Sequence, residues 1–226
     1  MSAIFDEYAE HYDSWFKTPT GSKVFELELK TLFDLIKPFQ GMKMLDVGIG
    51  TGFFALEFVN RGVEISGIDP SEKMIEIAAK RGLKAQIGSG EAIPFGDNLF
   101  DAVLSMTSME FSSDPDKFIS EMARVAKPSG IIIVAVLNIF SFYGIERKFK
   151  GLFKRSVFRS AHFYNFWELK RLLGKHLSSV VITSSVFFSP NSSEFILGRA
   201  DAIEAFGKRY CRPFGALLAG RGIKEF

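Results

Sequence analysis

Cysteine is almost missing from this chain, since Cys211 stands alone among 226 residues. One thiol excludes an intramolecular disulfide and any cysteine-cluster metal site, so no metal centre is expected. An excess of charge of either sign is also lacking: 28 basic residues face 26 acidic ones, for a net +2. That balance is too near neutral to argue for nucleic acid as a partner. No apolar run reaches the ~18 residues that a membrane-spanning helix needs, and no positive-apolar-small leader opens the chain. Neither membrane spanning nor secretion is indicated, and a cytoplasmic location is expected. Repeats, low-complexity tracts and flexible linkers are absent from the sequence as well. Apolar residues are plentiful, at 47% with 25 phenylalanines, enough for one well-filled domain over 1–226.

The most informative segment is Met44-Leu45-Asp46-Val47-Gly48-Ile49-Gly50-Thr51-Gly52. It reads as a buried strand that ends in an acid and a three-glycine turn, opening a helix over Phe53 to Val59. Glycine is needed where a backbone turns with positive φ or passes close to a ligand. A strand that feeds such a turn and helix makes a nucleotide-sized cradle at the strand's carboxyl end. The spacing is Gly-x-Gly-x-Gly, not the Gly-x-Gly-x-x-Gly of dinucleotide binders.

Val63 to Asp69 reads as a second strand, its terminal carboxylate seventeen residues after Gly52. An acid there can accept hydrogen bonds from both hydroxyls of a ribose. Ser71 caps a helix that carries Met74, Ile75, Ala78 and Ala79 on one side and stops at Gly82. Gly88 to Ser105 runs from a third strand through a loop into a fourth. Asp114-Pro115 then opens a helix by an aspartate cap with proline in the first turn. Lys127-Pro128-Ser129-Gly130 ends that helix, and Ile131 to Leu137 fits a strand buried on both faces. This alternation predicts an α/β fold with a doubly wound parallel sheet.

Taken together, LDVGIGTG, GIDPSEKMIEIA, GSGEAIPFGDNLFDAVLS and EMARVAKPSG resemble the class I S-adenosylmethionine-dependent methyltransferases of the type 11 group. The likeness is close over roughly residues 5 to 138 and only in outline beyond. It implies a Rossmann-like seven-stranded sheet of order 3-2-1-4-5-7-6 with an antiparallel last strand. It also implies a helical N-terminal lid over 1–40, a cofactor-binding core over 41–138, a cap and helix over 139–176, and C-terminal strands over 177–226. The cofactor implied is S-adenosyl-L-methionine. By resemblance, Asp46 and the backbone of Gly48, Gly50 and Gly52 hold its methionine part and ribose edge. Asp69 takes the ribose hydroxyls, with Pro70 and Met74 flanking the adenine. Ser89, Gly90 and Glu91 meet the adenine edge, and Ser105 and Met106 face the sulfonium. Ser89 stands where many members carry an aspartate, and Ser129 where they carry glycine.

Phe5, Tyr8, Tyr12, Trp15 and Phe16 fall on one helical face before Thr18-Pro19-Thr20-Gly21 breaks the helix. A second helix with Phe25, Leu29, Leu32 and Ile36 follows. Tyr12 and Trp15 are the candidates for lid contacts with the cofactor. Between Arg147 and Arg159 lie six cations and no acid, interleaved with aromatics. Such a stretch can be a solvated cap, bind an apolar or anionic small molecule, stack on bases or touch a membrane surface. Glu168 to Leu173 reads as a helix, Val180 to Phe188 as strand six, Ala202 to Phe206 as a helix and Phe214 to Arg221 as the last strand.

The chemistry implied is in-line attack on a sulfonium methyl. It needs alignment and exclusion of water more than acid catalysis. A general base is required only for an acceptor that carries a proton at neutral pH, and the candidates are His162, Tyr164 and Glu110. The expected acceptor is a small molecule. The alternatives are a tRNA-modifying methyltransferase, a cofactor-binding protein without catalysis and a nicotinamide-dependent oxidoreductase. The glycine spacing argues against the last of these.

Overall fold

The computed structural model describes residues 6, 9–141, 144, 160–189 and 191–225, with the side chains of residues 10 and 11 outside that description. The basic stretch from Arg147 to Arg159 lies outside the described residues, as do Phe5 and Tyr8.

Seven strands form one sheet: β1 (Lys43–Val47), β2 (Glu64–Asp69), β3 (Lys84–Ile87), β4 (Phe100–Met106), β5 (Ala126–Leu137), β6 (Ser178–Ser185) and β7 (Leu217–Ile223). Their order is β3-β2-β1-β4-β5-β7-β6. The β1, β2, β3, β4 and β5 pairings are parallel, and β7 runs antiparallel between β5 and β6. This is the α/β Rossmann-like arrangement that the resemblance implies.

Alternate side chains of the central strands feed two cores. Leu45, Val47, Val103, Ile132 and Val134 face one helical layer, and Met44, Ala102, Leu104, Ile133 and Ala135 face the other. Burial on both faces explains the unbroken apolar run of β5. The strand order reverses between β1 and β4, and a crevice opens there outside their carboxyl ends.

Several boundaries differ from the sequence reading. Helix α1 spans Pro19–Ile36, because Thr18 accepts from the Gly21 amide at 3.0 Å and Pro19 occupies the first turn. The Thr-Pro-x-Gly element thus starts this helix rather than merely ending the one before. That preceding segment is a 3-10 helix over Ala9–Lys17. Phe16 stacks on Phe53 at 4.8 Å and meets Phe25 and Phe54 edge-on, which pins it to helix α2 (Phe53–Val59).

The Lys127–Gly130 turn is a bulge within the start of β5. Phe100 pairs with Ala126 before the register resumes at Ala102 and Ile131. Ser129 sits there at φ 63°, a left-handed conformation that glycine adopts without penalty.

The remaining helices are α3 (Glu72–Lys80), α4 (Pro115–Val125), α5 (Phe166–Leu173), α6 (Glu194–Leu197) and α7 (Ala200–Tyr210). Each capping residue read from the sequence caps as expected: Ser71 accepts from Met74 N, and Asp114 from Lys117 N. The last strand is Leu217–Ile223 and not Phe214 to Arg221, because Arg212–Phe214 form a 3-10 turn before it, and the helix read over Ala202 to Phe206 runs the full length of α7. Strand β6 spans Ser178–Ser185 and so ends before Phe188. Val186 takes φ 65° there, and its amide donates to buried Glu204.

Candidate active site

The glycine turn at the end of β1 is held by its own backbone. Gly48 N and Ile49 N both donate to Ile68 O at 2.8 and 3.0 Å, and Gly52 N donates to Ile49 O. Gly50 N donates to Asp69 Oδ2 at 2.9 Å, while Asp69 Oδ1 accepts from Ser71 N. The turn is therefore a shaped surface whose amides are mostly spent. Gly48, at φ 81°, lets it pass Ser108: a Cβ there would lie 2.3 Å from the Ser108 Cβ. Ser108 Oγ in turn donates to Val47 O at 2.8 Å and lies 2.8 Å from Ser105 Oγ. The carboxyl ends of β1 and β4 are thus fastened together across the switch point.

A cavity of about 150 Å³ opens at this rim. Gly48, Gly50, Asp69, Pro70 and Met74 line it from the first βαβ unit, and Ser89, Gly90 and Glu91 from the loop after β3. Met106 lines it from β4, and Tyr12 from the N-terminal segment. Its described lining holds acceptors and hydroxyls but no lysine, arginine or histidine. With most of the turn's amides already engaged and no cation in the described lining, the pyrophosphate of a dinucleotide meets little that would hold it. A cationic ligand rich in donors suits the same surface.

Electrostatics beneath the cavity agree. Asp46 is buried, its Oδ1 has no hydrogen-bond partner, and burial together with nearby Asp69 pushes its carboxyl up to about 7. Burial also raises Asp69, against the pull of the Ser71 and Gly50 amides. Two acids held so close favour a positively charged neighbour.

A profile of the methyltransferase domain family matches residues 45–134, the stretch that builds this rim. An uncharacterized protein of Methanocaldococcus jannaschii is 36% identical over 188 residues, covering 81% of this chain and 85% of its own. A crystal structure from Thermotoga maritima superposes with TM-score 0.81 at 28% identity over 100% of both chains. It is described as an S-adenosylmethionine-dependent methyltransferase and possible histamine N-methyltransferase. The chain belongs to the S-adenosylmethionine-dependent methyltransferases.

A ubiquinone biosynthesis O-methyltransferase of Rhizobium etli is a further relative of this methyltransferase. It is 26% identical over 175 residues, 72% of this chain and 70% of the relative.

Several residues singled out by sequence lie away from the cavity lining. Asp46 sits beneath it, Gly52 faces Leu83, which occupies the space a Cβ would need, and Ser105 is fully buried beside Ser108. Trp15 meets Phe16 edge-on at 5.1 Å, outside the lining, whereas Tyr12 of the same segment is in it. Asp13 anchors this segment: it accepts from Thr51 Oγ1 at 2.8 Å and pairs with Arg81, whose Nη1 donates to Thr51 O. Ser71 Oγ donates to Asp6 at 2.6 Å. Glu91 reaches the rim but spends its carboxylate on Ser112 Oγ, Ser113 N and Asp114 N, which hold it below the usual carboxylate range.

The three base candidates cluster together, outside the lining. Glu110 is buried and accepts from Leu137 N at 2.6 Å, and its carbonyl accepts from His162 N. His162 Nε2 lies 2.7 Å from Glu168 Oε1, and its ring meets Tyr164 edge-on at 4.6 Å. Burial, then Glu110 and Glu168, pushes the Tyr164 hydroxyl up, so it stays protonated at neutral pH. The lining residues that sequence reasoning missed are Val47, Gly88, Thr107, Ser108, Phe111, Ser112 and Phe118. Thr107 and Ser108 directly follow a strand's carboxyl end, and that position was the available signal. Phe118 reads as core from its helical spacing, and it also fills the space that a Cβ on Gly90 would need.

Proposed function

We propose that this methyltransferase binds S-adenosylmethionine in the switch-point cavity and moves its methyl group, in line, to a small-molecule acceptor. The observation that carries the reading is the described lining, rich in acceptors, Asp69 among them, and without a cation, over buried Asp46. The residues fit the cofactor. Asp69 keeps one lone pair on each oxygen for the ribose hydroxyls, and orphaned Asp46 supplies negative charge for the ammonium end. Gly50 lines the cavity without a Cβ, while Met74, Pro70 and Phe118 offer apolar surface to the adenine. When bound, S-adenosylmethionine supplies an electrophilic methyl whose transfer leaves a neutral thioether.

The chain's own part is alignment and dryness. Met106, Thr107 and Ser108 shape the wall beyond the glycine turn, and Tyr12 with Phe111 adds aromatic surface. Both carboxylates in the lining are hydrogen-bonded to backbone or serine donors, and the cluster of Glu110, His162 and Tyr164 lies aside. This supports an acceptor that presents its nucleophile without help from a base in the lining. An apolar small molecule, or one whose nitrogen nucleophile is unprotonated at neutral pH, suits that lining better than an anion. Two similar proteins whose descriptions name small-molecule chemistry, one a possible histamine N-methyltransferase and one an O-methyltransferase of ubiquinone biosynthesis, support the class.

Incubation with methyl-labelled S-adenosylmethionine and fractionated cell extract tests this. Label should pass to low-molecular-weight acceptors. Label confined to tRNA would establish the nucleic-acid alternative instead. A thermal shift with S-adenosylhomocysteine but no label in any fraction would mark a binder without catalysis. At 100 times Kd the product should stabilise the fold by ~2.7 kcal/mol, while NAD should give no shift.

A further inference from the structure

Helix α7 buries an acid and leaves its large aromatics exposed. Its inward positions include Glu204, which accepts from the Val186 amide at 2.9 Å, and Lys208, which reaches Thr31 Oγ1 at 2.9 Å. Its outward positions carry aromatics: Phe206 is 60% and Tyr210 63% exposed, and their rings lie 4.9 Å apart. Just before it, Phe195 is 68% exposed beside Ile196, and just after it Phe214 is 53% exposed. Large apolar side chains left exposed on a helix that buries an acid mark a contact surface.

We propose that this face docks on an anionic membrane surface. Charge chooses the occupant. Arg199 lies over the Phe195 ring at 3.7 Å, Arg209 over Tyr210 at 5.3 Å, and Arg212 is exposed beside Phe214. Three guanidinium groups set among exposed aromatics form the pattern of an interfacial helix: rings enter the headgroup boundary while cations meet lipid phosphates. A second copy of the chain would bring the same arginines against one another across a two-fold axis, which the charge disfavours. Two acids accompany them: Asp201 is paired with Lys23, and Glu194 is exposed before Phe195, which leaves the three arginines in excess.

The face is continuous in structure with the end of β5. Asn138, fully buried, donates to Pro213 O and Gly215 O at 2.8 Å, and its Oδ1 accepts from Phe140 N. Phe140, itself exposed, is thereby tied to the loop that presents Phe214. The surface concerns a face apart from the cofactor cavity, and its test does not depend on methyl transfer.

The test is sedimentation of the full chain with vesicles of 30% phosphatidylglycerol in phosphatidylcholine, against pure phosphatidylcholine. Binding to the anionic vesicles should be clear, weaker as salt rises and faint on the neutral ones. A cation near an anionic surface is worth roughly fivefold in binding. The R199E/R209E/R212E variant should therefore lose at least about 100-fold. The F206A/Y210A variant should also lose binding, by about tenfold or more. Both sets of side chains are exposed, so melting temperature and the S-adenosylhomocysteine shift should stay as in the parent. Three results would overturn the proposal: no binding at low salt, binding that both variants retain, or a concentration-dependent dimer that F206A/Y210A abolishes. Binding of an oligonucleotide lost with the arginines but indifferent to F206A/Y210A, without vesicle binding, would overturn it in favour of nucleic acid.

Discussion

S-adenosylhomocysteine should bind the Asp69→Ala variant on the order of 100-fold more weakly than the parent, since a hydrogen bond to a charged group contributes ~1.5–3 kcal/mol. Asp69 stands at the end of β2, buried, with each carboxylate oxygen already accepting one amide, from Gly50 and from Ser71. Those amides aim the carboxylate and leave one lone pair on each oxygen for a vicinal diol. Alanine removes both diol contacts and also frees the Gly50 amide that shapes the turn. Asp69→Asn keeps the volume but turns one oxygen into a donor that can accept neither its backbone amide nor a hydroxyl, and a loss of about tenfold or more is expected of it. Calorimetric titration of the three proteins separates these cases. Equal affinities throughout would show that the ribose is not clasped at this position.

The second large effect is the pH dependence set by Asp46. Burial beside Asp69 pushes its carboxyl up to about 7 from an ordinary value of 3.8. The folded state thus holds a proton that the unfolded chain releases at lower pH. The penalty is absent below about pH 4, grows as pH rises and is complete above about pH 7. At its full extent it is on the order of 4 kcal/mol.

Ligand-free protein should therefore lose melting temperature between pH 4 and pH 7, and Asp46→Asn should flatten that decline. At pH 8 the variant should be the more thermostable of the two. A cationic ligand next to Asp46 favours its ionised form, so binding at pH 7 should release protons. Titrations in phosphate and in Tris should then give different apparent enthalpies. A flat pH profile in the parent, or identical heats in both buffers, would remove Asp46 from the account.

What could be read in advance follows from how local each signal is. Ser71 and Asp114 cap their helices through residues three positions away, so short-range pattern suffices for them. The turn over Gly48–Gly52 and the acid at Asp69 are likewise each dictated by a strand end. Other features depend on contacts between segments distant in sequence. Gly48 must be glycine because Ser108, sixty residues later, occupies the space of its Cβ. The engagement of the turn's amides depends on Ile68 O, which no glycine spacing reveals.

Helix α7 was legible only in part, because its buried polar residues break the usual apolar-inside period. Glu204 belongs inside only because Val186 turns its amide inward at the end of β6. The His162–Tyr164 pair looked catalytic by residue type. The structure places it against Glu110 and Glu168 at the end of β5, beside the lining rather than in it.

A crystal structure with S-adenosylhomocysteine bound tests the central claim most directly. The ribose hydroxyls should lie within hydrogen-bond distance of the two Asp69 oxygens, the homocysteine amine toward Asp46, and the sulfur between the glycine turn and Met106–Ser108. A ligand seated elsewhere, or one whose diol faces away from Asp69, would contradict the account.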